Sequence, residues 1–422
     1  MTTFSVVGPA ALRGRLRVPG DKSISHRALM LAALAEGTSR ISGLSAGDDV
    51  TRTAQAVAAM GAVFDGDRVS GGFSRLHEPG DVVDLGNSGT GIRLLTGLSA
   101  AFPWLTVLTG DASVRSRPME RITAPLRRMG AQVDGRGGGG LPPLIVRGGG
   151  LQGIDYGPPM ASAQVKSAIL LAGLGATGET VVREQVATRG HTEEMLRAAG
   201  ADVSVHKVGE GRVVRLKPSR IRPIDIDVPG DPSQAAFWVT AACITPGSDV
   251  VVERVYVGAG RIGFVDVLQR MGADVTVEAA GDNVGDIRAR YSRLSGTVVQ
   301  GGEVPGLQDE IPVLAVAAAV AEGTTTFRDA AELRLKETDR VATITSELGA
   351  LGVRVEAMTD GLVIHGGGPP SGGQARSHGD HRIAMALAVA GLAGTGWLEI
   401  DGWEAVGTSY PGFADDLARL AG

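Results

Sequence analysis

The hydrophobic positions of this chain gather into six runs of small and branched residues: Ala28–Ala35, Leu94–Ala101, Ala168–Leu174, Ala235–Ala242, Val313–Val320 and Ile383–Ala390. No polar stripe divides any of them. Each therefore predicts a helix covered on every side, not one lying on the surface of a core. Their alanines and glycines allow close packing. Each run follows a polar cluster: Lys22-Ser23, Asn87-Ser88-Gly89-Thr90, Ser162-Ala163-Gln164, Asp231-Pro232-Ser233-Gln234, Asp309-Glu310 and Asp380-His381-Arg382.

A second pattern interleaves with the first. An amphipathic helix ends in Gly-Ala or a near variant, and a β-branched strand often follows. The glycines are Gly61, Gly130, Gly200, Gly272, Gly352 and Gly422, at intervals of about 70 residues. They sit where a helix terminates in a left-handed residue. Each unit thus reads strand, buried helix, strand, outer helix, strands. Three units closing on themselves would cover their buried helices with sheets. Six units predict an α/β protein of two domains. Each is an inside-out α/β barrel of three βαβαββ units around buried helices.

The chain of 422 residues is too long for one ordinary core. Val228-Pro229-Gly230-Asp231-Pro232 is the strongest break, with Pro19-Gly20 as the matching crossing. The expected domains are residues 1–19 with 230–422, and residues 20–229, with hinges near 19–20 and 229–231. The strand from Arg13 to Val18 then belongs with the C-terminal half. Gly137–Gly140 and Gly148–Gly150 read as loop tips.

Composition narrows the functional classes. A net charge of -5 and 4% aromatic residues argue against a nucleic-acid surface. Any anion site must be a local concentration of charge. The single cysteine, Cys243, excludes an intrachain disulfide and a multi-cysteine metal site, and its apolar neighbours predict a buried side chain. No apolar run reaches the ~20 residues of a membrane span, and Met1–Gly8 lacks the features of a signal peptide. A cytoplasmic protein is expected, a monomer with no membrane or nucleic-acid partner.

Helix N-termini present N–H groups and partial positive charge, so six of them starting in polar segments make a ready anion-binding frame. Taken singly, Asn87, Ser162, Asp231 and Asp309 are accounted for as ordinary N-caps. Charge spacing adds to the picture. Lys336 and Arg340 are four apart and predicted to share a helical face, as are Arg117 and Arg121 around Pro118, and Ser23 and Arg27 beside Lys22. Like charges at that spacing repel, and a bound polyanion relieves the repulsion. For Arg121 a solvated face balanced by Glu120 is the expectation. A phosphate-binding P-loop ending in Lys22-Ser23 requires glycine at 16 and 21, where the chain has Leu16 and Asp21. His378, Asp380 and His381 lack a third histidine, so no metal is expected.

Gly20-Asp21-Lys22-Ser23-Ile24-Ser25-His26-Arg27, Asn87-Ser88-Gly89-Thr90-Gly91-Ile92-Arg93, Arg115-Ser116-Arg117-Pro118, Ser162-Ala163-Gln164, Lys336-Glu337-Thr338-Asp339-Arg340 and Asp380-His381-Arg382 occur in this order. From about residue 13 to the end, the chain resembles the 5-enolpyruvylshikimate-3-phosphate synthase family of enolpyruvyl transferases. The first and last motifs are quite specific. The resemblance implies two domains of three βαβαββ units closing over a cleft, and transfer of the carboxyvinyl group of phosphoenolpyruvate to the 5-hydroxyl of shikimate 3-phosphate. The product leads to chorismate and the aromatic amino acids. No cofactor or metal is implied, and glyphosate is the family's inhibitor in the phosphoenolpyruvate site.

By that resemblance Lys22 touches both substrates. Ser23, Arg27, Ser162, Gln164 and Lys336 hold shikimate 3-phosphate, with a backbone contact at Ala163. Gly89, Arg117, Arg340 and Arg382 hold phosphoenolpyruvate, with Asn87 supporting that loop. Asp309 is the candidate base, Glu337 and Lys22 serve the other proton steps, and His381 supports them. Ala163, Glu332 and the lysine-free Gly407–Pro411 segment depart from the best-known branch, while Ser162–Lys166 and Arg189–Glu193 look more like a second branch, often described as less inhibitor-sensitive. Gly258-Ala259-Gly260-Arg261 fits that branch only to a degree. Two other readings compete. One is the enolpyruvyl transferase acting on UDP-N-acetylglucosamine, which usually carries a loop cysteine. The other is a repeat-built interaction protein, which has no need of basic residues at buried helix starts.

Overall fold

In a computed structural model, described for residues 2–281 and 283–422, the chain forms two compact units. One comprises Met1–Asp21 with Pro229–Gly422, the other Lys22–Val228. The fold is mixed α/β, built on small mixed sheets.

In the Lys22–Val228 unit the three apolar bodies form the helices Lys22–Leu34, Gly89–Ala100 and Ala163–Gly173. They are buried along nearly their whole length because side chains without a polar stripe leave no face for water. Three four-stranded sheets cover them. In one, Val83–Asp84 runs parallel to Leu105–Thr109, which is antiparallel to Leu141–Arg147, which in turn pairs with Gln132–Gly135. The parallel pair is the consequence of a helix crossing between its two strands. Leu141–Arg147 shows the resulting alternation: Pro142, Leu144 and Val146 are buried, and Pro143, Ile145 and Arg147 are exposed. The Asp155–Tyr156, Thr180–Glu184, Gly211–Leu216 and Val203–Val208 strands repeat the order. In the remaining sheet the leading strand is Asp225–Asp227, from the far end of the unit, parallel to Gly37–Ser42.

The other unit repeats the plan around the helices Pro232–Ile244, Ile311–Val320 and His381–Ala393. Arg13–Leu16 pairs with Asp249–Tyr256, so this strand lies with the C-terminal half. Thr3–Gly8 pairs antiparallel with Thr395–Asp401 and stands where the other sheets carry the last strand of their unit, as Leu141–Arg147 does beside Leu105–Thr109. Phe237, Trp238, Tyr410 and Phe413 pack edge-on and face-on behind the helices, and the indole N–H of Trp238 donates to the Tyr410 hydroxyl at 3.2 Å.

The outer helices are the amphipathic segments, and each ends at a repeat glycine. Gly61, Gly130, Gly200, Gly272 and Gly352 have φ of 108°, 106°, 81°, 98° and 83°. Glycine is needed there because a Cβ disfavours positive φ. Inside the unit a different constraint applies. A Cβ on Gly97 would lie 2.3 Å from the Ala168 carbonyl oxygen, so the Gly89–Ala100 and Ala163–Gly173 helices touch backbone to backbone.

These two uses of glycine predict different costs for the same added methyl. Gly130→Ala, with open space around the new Cβ, should lose about 1–2 kcal/mol from backbone strain alone. Gly97→Ala must push a pair of packed helices apart and should lose about 3 kcal/mol or more. Urea unfolding of both variants checks the ranking.

Candidate active site

In the Lys22–Val228 unit the three buried helices begin in side chains that bond one another. Arg27, 3% exposed, donates to the Ser23 carbonyl one turn back (2.8 Å), to Thr192 Oγ1 (2.7 Å) and to Ser167 Oγ (2.7 Å). Ser167 in turn donates to the Ala163 carbonyl at 2.6 Å. The starts of two helices are thereby tied together. Gln164 joins the third: its Oε1 accepts from Arg93 Nη1 at 3.1 Å and its amide donates to Thr90 Oγ1 at 3.0 Å. Arg93 also donates to the Gly89 carbonyl at 3.2 Å. Asn87 bridges the Asp111 carboxylate (2.6 Å) and Arg117 Nη2 (3.1 Å). The Arg117 guanidinium lies against Gly89, where a Cβ would come 2.4 Å from Nη1. The Lys22 ammonium meets Asp49 at 3.0 Å. Lys22, Ser23, Arg27, Asn87, Gly89, Arg117, Ser162, Ala163 and Gln164 thus gather at the helix starts of one unit.

The second group centres on Arg340, which is fully buried. It donates to Asp380 Oδ2 (2.8 Å), Glu337 Oε2 (2.8 Å), Asp309 Oδ1 (3.3 Å) and the Gln308 carbonyl (3.2 Å). Around the same Asp309 oxygen stand Arg382 Nε at 3.8 Å and Lys336 Nζ at 4.0 Å. Burial pushes the Asp380 carboxyl up, but the Arg340 guanidinium overrides this and holds it below the ordinary carboxylate value. A depressed carboxylate stabilises the fold above its unfolded pKa, and this stabilisation is lost as pH falls through the folded one. Asp380 also caps its helix by accepting from the Arg382 amide at 2.9 Å. His381 Nδ1 lies 3.1 Å from Thr408 Oγ1, whose hydroxyl donates to the Ala405 carbonyl at 2.8 Å. That leaves the imidazole as donor at Nδ1.

Several details differ from the sequence reading. Lys336 and Arg340 do not share a helical face. Asp339 accepts from the Ala342 amide at 3.0 Å and starts the helix at Arg340, leaving Lys336 in the preceding turn. Arg117 and Arg121 are likewise not on one helix. Arg117 is extended after the short Ala112–Ser116 helix, and Pro118 precedes the Glu120–Arg128 helix. Ser162 and Asp231 do cap helices. Asn87 does not, because Ser88 accepts from the Gly91 amide in its place. Asp309 precedes Glu310 and turns its carboxylate to the arginines.

Other polar residues here were not assigned a role from the sequence. Asp49, Arg93, Asp111, Ser167, Thr192, Asp380 and Thr408 hold the predicted residues in place. Lys166, fully buried, pairs with Glu184 and Glu193 at 2.9 Å each, and Arg212 joins both carboxylates. Burial outweighs the pull of the carboxylates and lowers the Lys166 pKa. The signal for Lys166 and Arg93 was present: a charge inside a helix that is otherwise apolar all round requires a buried partner.

Basic side chains gathered at the ends of buried helices, within repeated α/β units, describe a protein that binds anions. The fold is that of the enolpyruvyl transferases. The enolpyruvyl transferase NikO from Streptomyces tendae aligns over 99% of this chain and 96% of its own with a TM-score of 0.77 at 21% identity. Closer matches narrow the class. The EPSP synthase (3-phosphoshikimate 1-carboxyvinyltransferase) family model matches residues 6–417. The EPSP synthase structure from Acinetobacter baumannii is 44% identical with a TM-score of 0.87, covering 99% of this chain and 98% of that one. The 3-phosphoshikimate 1-carboxyvinyltransferases of Gloeobacter violaceus and a Synechococcus strain are 52% and 51% identical. They cover 99% and 97% of this chain, and 98% and 94% of their own length. The chain belongs to the EPSP synthase family.

Cys243 lies within the Pro232–Ile244 helix with no exposed surface, and burial pushes its thiol up to about 12. It is therefore no loop nucleophile, since thiolate is the reactive form. An aromatic disulfide reagent at pH 8 should label no thiol in the native protein and one per chain in guanidinium chloride. Rapid native labelling would contradict this burial.

Proposed function

We propose that this chain carries out its family's reaction, transfer of the carboxyvinyl group of phosphoenolpyruvate to the 5-hydroxyl of shikimate 3-phosphate, with the residues above in the following roles. Ser23, Arg27, Ser162, Gln164 and Lys336 bind shikimate 3-phosphate, with the Ala163 backbone. Arg117, Arg340 and Arg382 bind phosphoenolpyruvate beside Gly89, and Asn87 orients Arg117. Lys22 contacts both substrates. Asp309 takes the proton of the attacking hydroxyl as oxygen bonds to C2 of phosphoenolpyruvate, and C3 receives a proton to give a tetrahedral adduct. Loss of phosphate from C2 and of a proton from the new methyl group then restores the vinyl group. Glu337 and Lys22 serve these remaining proton steps, and His381, held by Thr408, supports them. The protein acts as a cytoplasmic monomer, and glyphosate competes for the phosphoenolpyruvate site.

The observation that carries this reading is the arrangement around Asp309. One carboxylate oxygen stands within 4.0 Å of three cationic side chains, Lys336, Arg340 and Arg382. Such a ring attracts anionic substrates and keeps an accepting oxygen among them. Arg340 is fixed by Asp380 and Glu337, so its charge is oriented before any substrate arrives, and preorganised charge is the most effective kind in catalysis.

Phosphate release should require both substrates together and should persist in a chelator. Release from phosphoenolpyruvate alone, or with a different acceptor, would sink the assignment. Arg382→Lys should reduce kcat/KM by an amount on the order of 2–4 kcal/mol, because an ammonium does not bind a carboxylate or phosphate bidentately. Unchanged kinetics would remove Arg382 from the site.

Gly89→Ala places a methyl group against Arg117 Nη1. The clash is with the far end of a flexible side chain, so the guanidinium shifts while the backbone stays. The longer inhibitor should suffer more than the substrate: glyphosate Ki rising about tenfold or more, phosphoenolpyruvate KM less than about threefold. A KM that rises as much as Ki would refute selective crowding.

A further inference from the structure

We infer that Glu347 is a positioning residue for Asp380 and Arg382, acting through the turn Ser377–Asp380. The inference rests on the proposed contact of Arg340 and Arg382 with phosphoenolpyruvate. Between the strand Ser371–Arg376 and the helix His381–Ala393 the chain reverses within four residues. The Asp380 amide donates to the Ser377 carbonyl at 2.9 Å, and the two central residues, His378 and Gly379, have φ of 54° and 80°. Positive φ at both positions marks a primed turn. Glycine adopts it freely. Histidine, with a Cβ, is held there at a cost that its surroundings must offset.

Glu347 supplies that hold. One of its oxygens accepts from His378 Nε2 at 2.7 Å, and the other accepts from the Arg376 amide at 2.8 Å. Glu347 itself is 7% exposed, while the His378 side chain is 41% exposed, so the carboxylate is the sheltered partner of the pair. Glu347 lies seven positions after Arg340 on the helix Arg340–Ala350, close to two full turns, so the two share a face. That face grips the reversal at both ends: Glu347 takes the entrance at Arg376 and His378, and Arg340 takes the exit at Asp380. Asp380 in turn accepts from the Arg382 amide. Ser377 is anchored separately by donating to the Gly402 carbonyl at 2.8 Å. Slack at His378 is therefore transmitted to the Asp380 carboxylate, and from there to the Arg340 guanidinium and to the backbone of Arg382 at the helix start.

Steady-state kinetics with each substrate varied tests this. Glu347→Ala should raise KM for phosphoenolpyruvate about tenfold and leave KM for shikimate 3-phosphate within about twofold. Glu347→Gln should restore most of the affinity. Its carbonyl accepts from the Arg376 amide and its amide donates to the other tautomer of His378. His378→Gly keeps the turn without strain and removes one bond, so a smaller rise in phosphoenolpyruvate KM is expected. It also carries the test if Glu347→Ala does not fold. A purely structural role would lower Tm and apparent kcat while leaving both KM values unchanged, and that result overturns the inference. Arg382→Lys is measured alongside. If both its kcat and its phosphoenolpyruvate KM are unchanged, the proposed site fails and takes this inference with it. If either changes in Arg382→Lys while the phosphoenolpyruvate KM of Glu347→Ala and His378→Gly stays at the wild-type value, the inference alone fails.

Discussion

A helix that is apolar on every side must be enclosed, and the rest of this structure follows from that requirement. Six such helices are each covered by sheets along their length, so their ends are the places where polar groups meet them. Lys22, Asn87, Ser162, Asp231, Asp309 and Asp380 stand at those ends, and the charges inside the bodies, such as Lys166 and Arg93, are met by buried partners. The same enclosure explains the composition. Backbone contact of the kind seen between Gly97 and Ala168 requires residues without bulk, and small side chains bury area only when many are stacked together. The chemistry is thus assigned its location by packing before any side chain is chosen for catalysis.

Within those ends the charges are arranged in closed sets. Arg340 faces Asp309, Glu337 and Asp380. Lys166 faces Glu184 and Glu193. Arg261 faces Asp21 at 2.7 Å and Asp231 at 3.0 Å. Taking such groups out of water costs several kcal/mol per ion, offset only when partners and geometry are right. The return is orientation. A guanidinium held by two or three carboxylates cannot swing to meet a substrate and has no need to. Arg340 is held by three carboxylates, and Arg27 by two hydroxyls and a carbonyl.

Much of this was legible from residue order. The buried bodies and the left-handed glycines after the outer helices are local patterns, and local patterns survive in a single sequence. Pairs across the fold are not local. Nothing near Lys22 names Asp49 as its partner, and nothing near Thr3–Gly8 names Thr395–Asp401. Helix boundaries were the other weak point. Spacing of four put Lys336 with Arg340 and Arg117 with Arg121, but a capping aspartate at 339 and the extended backbone at Arg117 begin those helices later. Asn87 and Ser88 are both good caps by type, and which one serves depends on backbone geometry that type does not encode.

The strands that complete the sheets also set the order in which the molecule can be finished on the ribosome. Lys22–Val228 is one continuous stretch, and its closing strand, Asp225–Asp227, is its last element. That unit can assemble as soon as residue 228 has cleared the exit tunnel. Arg13–Leu16 must wait for Asp249–Tyr256, and Thr3–Gly8 for Thr395–Asp401. Both strands are therefore made well before the partners they pair with, and Thr3–Gly8 waits the longer of the two. Long separation between partners slows folding, and waiting strand edges invite association. Thr3–Gly8 and Arg13–Leu16 thus need protection while the strands that cover their edges are still being made.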